Sequence, residues 1–451
     1  MDIETSFNEI FKAYDVRGKV GTELNAEVAE RIGRAVATWL PTAGAVAIGR
    51  DMRPDSAELA QALIKGLTEQ GREVWDIGEV TSDMIYFATG HFKLAGGVMV
   101  TASHNPGDFN GIKFCGEGAK PIGVESGLLD IKALAIKNNW PECTSPGKVE
   151  EKDVIEGWLE HALSFVDVKK LKPLKVVIDA GNGMAGKIIP ELEPYVPFNI
   201  TEMYFELDGT FPNHIANPIE PENIVDLIDR VKTEGADVGV AFDGDGDRAV
   251  LIDEKGNALG GTTMTALLAD YFLKKVPSST VLYNATCGWV VPETIAQNAG
   301  TGVRTKVGHS YIKAEMRTHD AIFAGESSGH YYFRNNFMAD SGLIAALVAL
   351  HVLSMSDKPL SELAAEFTKY HHIPETNFIV SEKEAIIDKL SQEFSDAKQD
   401  SLDGLTIWLD NAWINIRASN TESILRLNAE AKSQSELDDL VAKVTNIITT
   451  S

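Results

Sequence analysis

Short apolar runs, each closing on a polar residue and each followed by a helix-like stretch, recur three times along the chain. The runs that open a unit lie at 45–51 (AVAIGRD), 176–181 (VVIDAG) and 281–286 (VLYNAT). A second extended run follows at 73–78, 200–209 and 302–308, and a third closes each unit at 97–101 (GVMVT), 238–243 (VGVAFD) and 321–325 (AIFAG). Strand-length apolar runs alternating with helical patterns predict βαβ units and mainly parallel sheets. The threefold recurrence predicts tandem domains of one topology. After about His371 the pattern changes to strands at TNFIV, LTIWLD, WINIRAS and ILRLNAEA with helices apart from them, an α+β arrangement. Divisions near Pro146, Asp253 and Tyr370 give expected domains 1–147, 148–252, 253–370 and 371–451. The expected fold class is therefore α/β, with three tandem βα-repeat domains of mixed, mainly parallel sheets and a C-terminal α+β domain.

Composition narrows the function. The 451 residues carry 66 Asp and Glu against 41 Lys and Arg, a net charge of −25, so no nucleic-acid partner is expected. The longest apolar stretch, 342–353, is shorter than the roughly 20 helical residues of a bilayer span and contains His351; it predicts a buried helix and no membrane partner. The opening MDIETSFNEI has acidic residues where a secretory signal carries a basic start and an apolar run, so a cytoplasmic location is expected. Cys115, Cys143 and Cys287 are too scattered for a disulfide framework or a zinc cluster.

In open α/β sheets ligands sit beyond the carboxyl ends of the strands, so the segments after the third strands are where chemistry is expected. They read TASHNPGDFNGIKF, DGDGDR and ESSGH. In the second, Asp243, Asp245 and Asp247 alternate with glycine and can aim three carboxylates at one point, which suits a hard cation such as Mg²⁺. A calcium loop is the alternative, with Glu254 twelfth from Asp243, but Arg248 stands where an EF-hand loop has glycine. A solvated acidic turn is the plainer reading. Ser103 in the first segment lacks the G-x-S-x-G setting of a hydrolase nucleophile. As a phosphoryl carrier beside a divalent ion and an Arg it needs only alignment and charge neutralisation. Glu326, Ser327, Ser328 and His330 form a polar set suited to a polyhydroxy ligand, and His309 in Val307-Gly308-His309-Ser310 is a comparable candidate. Arg417, Ser419, Asn420 and Thr421 offer a guanidinium, an amide and hydroxyls within five residues, the makings of a phosphate cradle.

A rival reading comes from Gly181-Asn182-Gly183-Met184-Ala185-Gly186, which follows a strand and fits G-x-G-x-x-G, the fingerprint of a dinucleotide oxidoreductase. The same residues nearly spell a P-loop, but Ile188 replaces the hydroxyl residue that meets Mg²⁺.

Taken in order, Lys12-Ala13-Tyr14-Asp15-Val16-Arg17-Gly18, Gly49-Arg50-Asp51-Met52-Arg53, TASHNP, Asn110-Gly111-Ile112-Lys113, DGDGDR, GESSGH and RASNT resemble the α-D-phosphohexomutase family over the full length. The resemblance implies four domains around a central cleft and interconversion of hexose 6-phosphate and hexose 1-phosphate, with mannose expected before glucose. It implies that Ser103 is the phosphoserine and that Asp243, Asp245 and Asp247 hold Mg²⁺ together with it. Arg248 would support the serine phosphate, Glu326 and Ser328 would grip sugar hydroxyls, and Arg417, Ser419, Asn420 and Thr421 would hold the phosphate that is not reacting. Tyr14, Arg17, His104, Lys113, His309 and His330 match positions that line the cleft or assist proton transfer. Implied companions are small hexose phosphates and a hexose 1,6-bisphosphate intermediate, with the protein a monomer or homodimer. Ser423 departs from the proline usual at the end of the phosphate loop, and Ser327 occupies a variable position.

Overall fold

A computed structural model describes residues 3–418 and 424–450. The three repeats share one strand order. In the first, the opening strand Val46–Arg50 lies between Val74–Glu79 and Gly96–Val100, parallel to both, and Phe109–Gly116 runs antiparallel beside Gly96–Val100. In the second, Lys175–Asp179 lies between Asn199–Met203 and Val238–Phe242, with Ala249–Asp253 antiparallel to the latter. In the third, Thr280–Asn284 lies between Thr301–Thr305 and Phe323–Gly325, with Tyr331–Phe333 antiparallel. Each candidate loop therefore joins a unit's third, parallel strand to its antiparallel fourth. The strand Val238–Phe242 is buried along its whole length, as expected of a strand covered on both faces.

The sheets run past two of the expected divisions. Val149–Glu151 pairs with Val74–Glu79 and completes the first sheet, and Ala258–Leu259 pairs with Ala249–Asp253 and completes the second. Two second runs are shorter than their apolar pattern. Asn199–Met203 stops where Tyr204 turns to a φ of +56°, and Thr301–Thr305 stops before Gly308, which precedes the helix His309–His319.

The fourth unit is a sheet of antiparallel pairs with Ile424–Ala431 between Ala412–Ala418 on one side and His371–His372 and Thr376–Ile379 on the other. Its helix Gln434–Thr449 starts at Ser433, whose hydroxyl oxygen accepts from the Glu436 amide. Its apolar core is separate, running from Ile386 to Ile448. By contrast, one continuous core runs from Ala45 through the second unit to Ala364 and ties the first three units together.

The expected buried helix is Gly342–Met355, nearly all of it hidden from solvent. Among the described residues no helix is long and apolar enough to cross a membrane. Its N-cap Ser341 accepts from the Ile344 amide and donates to Asp83 of the first unit at 2.6 Å. Gly342 lies behind the aspartate loop, its amide reaching the Gly246 carbonyl at 3.3 Å. The helix thus stiffens the wall from which the second loop projects. Leu347 is 1% exposed within it. Leu347→Ala is expected to destabilise the shared core by about 2–5 kcal/mol, read as a lower denaturant midpoint; a shift below 1 kcal/mol contradicts the helix's place in that core.

Candidate active site

The first and second loops meet backbone to backbone. A Cβ on Gly244 would lie 2.4 Å from the Ser103 carbonyl oxygen, a distance that no other residue permits. Ser103 has a φ of +52°, a conformation rare for serine, and its amide donates to Thr101 Oγ1 at 2.9 Å. That turn places Ser103 Oγ 2.7 Å from Asp243 Oδ2 and 3.0 Å from His104 Nδ1.

Arg248 reaches the same point, with Nε donating to Asp243 Oδ2 at 3.1 Å and Nη2 to His104 Nδ1 at 2.5 Å. Because a guanidinium only donates, His104 Nδ1 is an acceptor and the ring carries its proton on Nε2. Burial and the Arg248 charge hold the His104 pKa well below the usual histidine range, so the ring stays neutral.

Asp243, Asp245 and Asp247 converge, each contributing an oxygen within 4.8 Å of the others. All three are at most 2% exposed. Lys113 Nζ lies 2.6 Å from an oxygen of both Asp245 and Asp247. Burial opposes its charge, but those two carboxylates outweigh it and raise the Lys113 pKa well above the ordinary value. Lys113 and Arg248 bring two positive charges against three buried carboxylates, and burial with the Asp247 charge pushes the Asp243 pKa up to about 7. Asp245 Oδ1 and Asp247 Oδ1 are buried with no hydrogen-bond partner among the described residues. Orphaned anionic oxygens of this kind fit a hard divalent cation, which takes all-oxygen ligands. A second acidic grouping, Asp247, His330 and Asp340, is already supplied with positive charge by Lys313, 2.7 Å from Asp340.

Around this centre Arg17 donates to Asn105 Oδ1 and Asp15 Oδ2, both at 2.6 Å. His330 pairs with the Arg248 backbone, and its Nδ1 lies 3.0 Å from Asp340 Oδ2 and 3.7 Å from Asp247 Oδ1. Glu326 is 1% exposed; it accepts from the Gly308 amide at 3.0 Å and from the Tyr332 hydroxyl at 2.6 Å. The Gly308 bond ties the ESSGH loop to the turn before His309, and the Tyr332 bond ties it to the strand that follows. The neighbouring Ser328 is half-buried. Tyr14 bonds the Val307 carbonyl at 3.3 Å and its ring packs edge-on against His309, centroids 5.3 Å apart. The Val307 amide in turn donates to Asp403 of the fourth unit at 2.9 Å, so Val307 touches both the first and the last unit.

Arg417 lies at the end of Ala412–Ala418, with Nη2 donating to Glu375 Oε2 at 2.8 Å and Nε buried with no hydrogen-bond partner among the described residues. The expected cradle partners Ser419, Asn420 and Thr421 lie outside the described residues. The glycine fingerprint serves a different purpose from the one its spacing suggests. The amides of Gly181, Asn182, Gly183 and Met184 are spent on Asp179, Tyr204, Ala180 and Gly244, which leaves none of the four for a pyrophosphate. A Cβ on Gly183 would lie 2.8 Å from the Gly244 carbonyl oxygen, so the turn is a buttress for the aspartate loop.

Two structural residues escaped the reading of the sequence. Arg53 lies under the serine loop; its RDMR segment was visible, but only the fold reveals that it turns beneath residues 103–109. Lys313 is a buried lysine in an otherwise unremarkable amphipathic helix, and no local signal marks it.

The comparisons with known proteins agree with this architecture. Four family models match in sequence: phosphoglucomutase/phosphomannomutase alpha/beta/alpha domain I over residues 8–139, domain II over 156–256, domain III over 260–370 and the C-terminal domain over 375–447. A phosphomannomutase of Vibrio cholerae is 39% identical, over 97% of this chain and 98% of the relative. A relative described as "Phosphohexose mutases" from Xanthomonas campestris is 40% identical, over 95% of this chain and 96% of its own. A crystal structure of a phosphoglucomutase/phosphomannomutase family protein from Burkholderia thailandensis superposes with a TM-score of 0.90 at 31% identity, covering 98% of this chain and 97% of that one. The chain belongs to the phosphoglucomutase/phosphomannomutase family.

The orphaned carboxylate oxygens make a direct prediction. Millimolar Mg²⁺ is expected to raise the unfolding temperature of the wild type, by mass action on the folded state, and Asp245→Asn is expected to lose most of that shift. An equal response in the two proteins would make the aspartate loop a mere acidic turn.

Proposed function

We propose that the protein is a phosphohexomutase that interconverts hexose 6-phosphate and hexose 1-phosphate through a phosphoserine at Ser103. The observation that carries this is the buried contact of Ser103 Oγ with Asp243 at 2.7 Å, flanked by Arg248 and Lys113. Mannose phosphates are the favoured substrates, since the Vibrio and Escherichia coli relatives at 39% identity carry the name phosphomannomutase. Glucose phosphates are the second substrate pair, and a cytoplasmic location suits both.

Asp243, Asp245, Asp247 and the phosphorylated Ser103 would hold Mg²⁺, which when bound neutralises charge on the transferring phosphoryl group. Arg417, with Ser419, Asn420 and Thr421, holds the distal phosphate of the substrate, while Glu326 and Ser328 take sugar hydroxyls. Tyr14 and His309 shape the wall between them. The free sugar hydroxyl then faces phosphorylated Ser103. The P–O bond to Ser103 breaks as a P–O bond to the sugar oxygen forms, giving a hexose 1,6-bisphosphate. The sugar hydroxyl loses its proton to a base in the cleft, and Ser103 Oγ regains one. His330 suits the proton exchange, because Asp340 holds its Nδ1 and leaves Nε2 for the substrate. Neutral His104 and cationic Arg248 aim the serine, and Arg17 and Lys113 offset part of the loop's negative charge. The bisphosphate turns over within the cleft, presents its other phosphate, and the transfer runs in reverse. Recognition by phosphate at one end and hydroxyls between serves both orientations.

Ser103→Ala is expected to abolish mutase turnover with the unfolding temperature preserved; retained turnover excludes the phosphoserine. Isolating wild type with one phosphoryl group on Ser103 also separates an enzyme from a non-catalytic sugar-phosphate sensor. Arg417→Ala is expected to raise KM at least tenfold while Ser103 still accepts phosphate from the bisphosphate, and an unchanged KM removes Arg417 from the cradle. Coupled assays with mannose 1-phosphate and glucose 1-phosphate, each with catalytic bisphosphate, rank the two sugars by kcat/KM.

A further inference from the structure

Arg53 is 3% exposed, and its guanidinium faces the interior side of the serine loop. Nη1 donates to the carbonyls of Pro106 at 2.8 Å and Phe109 at 2.7 Å, and Nη2 to those of Ser103 at 3.0 Å and Asn105 at 2.5 Å. One planar cation therefore gathers four backbone carbonyls of a single turn, a pattern that resembles a ligand cage with the protein's own loop as the ligand. Nε faces Asp51 Oδ2 at 3.3 Å, and Asp51 Oδ1 accepts from the Arg53 amide and from the Ser56 hydroxyl. The face of the guanidinium lies over the Phe211 ring, 5.1 Å from its centroid. Phe211 belongs to the second unit, as does Gly244, which closely approaches the same Ser103 carbonyl.

We infer that Arg53 is a positioning residue for phosphoryl transfer: by holding the carbonyls of residues 103, 105, 106 and 109 it fixes Ser103 in its left-handed conformation, with Oγ aimed at the aspartate loop. The inference rests on the reading of Ser103 as the phosphoryl carrier and adds the element that aligns it. Its physical basis is twofold. A serine at φ +52° is unfavourable in an unconstrained loop, so something must offset that preference. Four charge-assisted hydrogen bonds from one rigid fork do so, and they fix direction as well as energy. Lysine cannot substitute, because its three donors diverge from one nitrogen and it has no planar face for Phe211. Arg53 hydrogen-bonds only backbone of the loop, so its loss acts on alignment and leaves the distal phosphate and sugar contacts unaltered.

The test compares wild type with Arg53→Lys as full-length protein. Ser103 phosphorylation by glucose 1,6-bisphosphate with Mg²⁺ is timed by intact mass, alongside steady-state KM and kcat, unfolding temperature and amide exchange over residues 101–106. The expected result is a folded variant with KM within about twofold of wild type. Its kcat and phosphorylation rate fall about 10- to 100-fold, the scale of small misalignments, and exchange is faster in 101–106 than elsewhere. An unchanged phosphorylation rate, or a fall matching only a reduced folded fraction, overturns the inference. If wild type itself takes no phosphate on Ser103, the phosphoserine reading fails; selective exchange in Arg53→Lys then still supports the hold of Arg53 on the loop, and unaltered exchange removes it. Should Arg53→Lys not fold, Asp51→Asn, which leaves Arg53 without its counter-ion, is held to the same expected and overturning results.

Discussion

The site depends on one contact between two loops from different units: the Ser103 carbonyl against the Cα of Gly244, with the serine hydroxyl reaching Asp243 across the same junction. Everything around it secures that junction. From the first unit Arg53 holds the serine turn, and from the second the Gly183 turn and the Met184 amide hold the Gly244 carbonyl. Behind both, the helix Gly342–Met355 of the third unit fills the space that would otherwise let the aspartate loop relax. Three buried carboxylates repel one another, and a loop carrying them keeps its shape only when rigid surroundings and cations oppose that repulsion.

The repeated strand order explains why three loops from three units converge. In each unit the candidate loop joins the parallel third strand to its antiparallel fourth, so the same topological position is offered three times around a shared apolar core. Three loops of different sequence can occupy that position without a change of scaffold, which is the sense in which function is grafted on fold.

Much of this was legible in the sequence because it is local. The strand alternation gave the three units, and Asp243, Asp245 and Asp247 announced themselves by spacing alone. Val149–Glu151 and Ala258–Leu259, strands of three and two residues beyond the expected divisions at 147 and 252, are too short to show an alternation, and their pairing is a tertiary fact. The fingerprint at Gly181–Gly186 misled for a related reason: glycines that let a chain approach a phosphate also let it approach another chain, and only the fold tells which neighbour is there. Arg53 was quoted in a motif without a role, since its four acceptors lie about fifty residues further along the chain. Lys313 gave no signal because its partner Asp340 and the ring of Tyr86 come from distant segments.

The separate apolar core of the fourth unit carries a consequence for how the molecule works as a machine. It meets the third unit largely through polar and aromatic contacts, such as Arg304 with Asp400 and the Trp408 ring, rather than through a continuation of the common interior. Such a joint attaches the module bearing Arg417 to the braced first three units by individual side-chain contacts, with no interior in common.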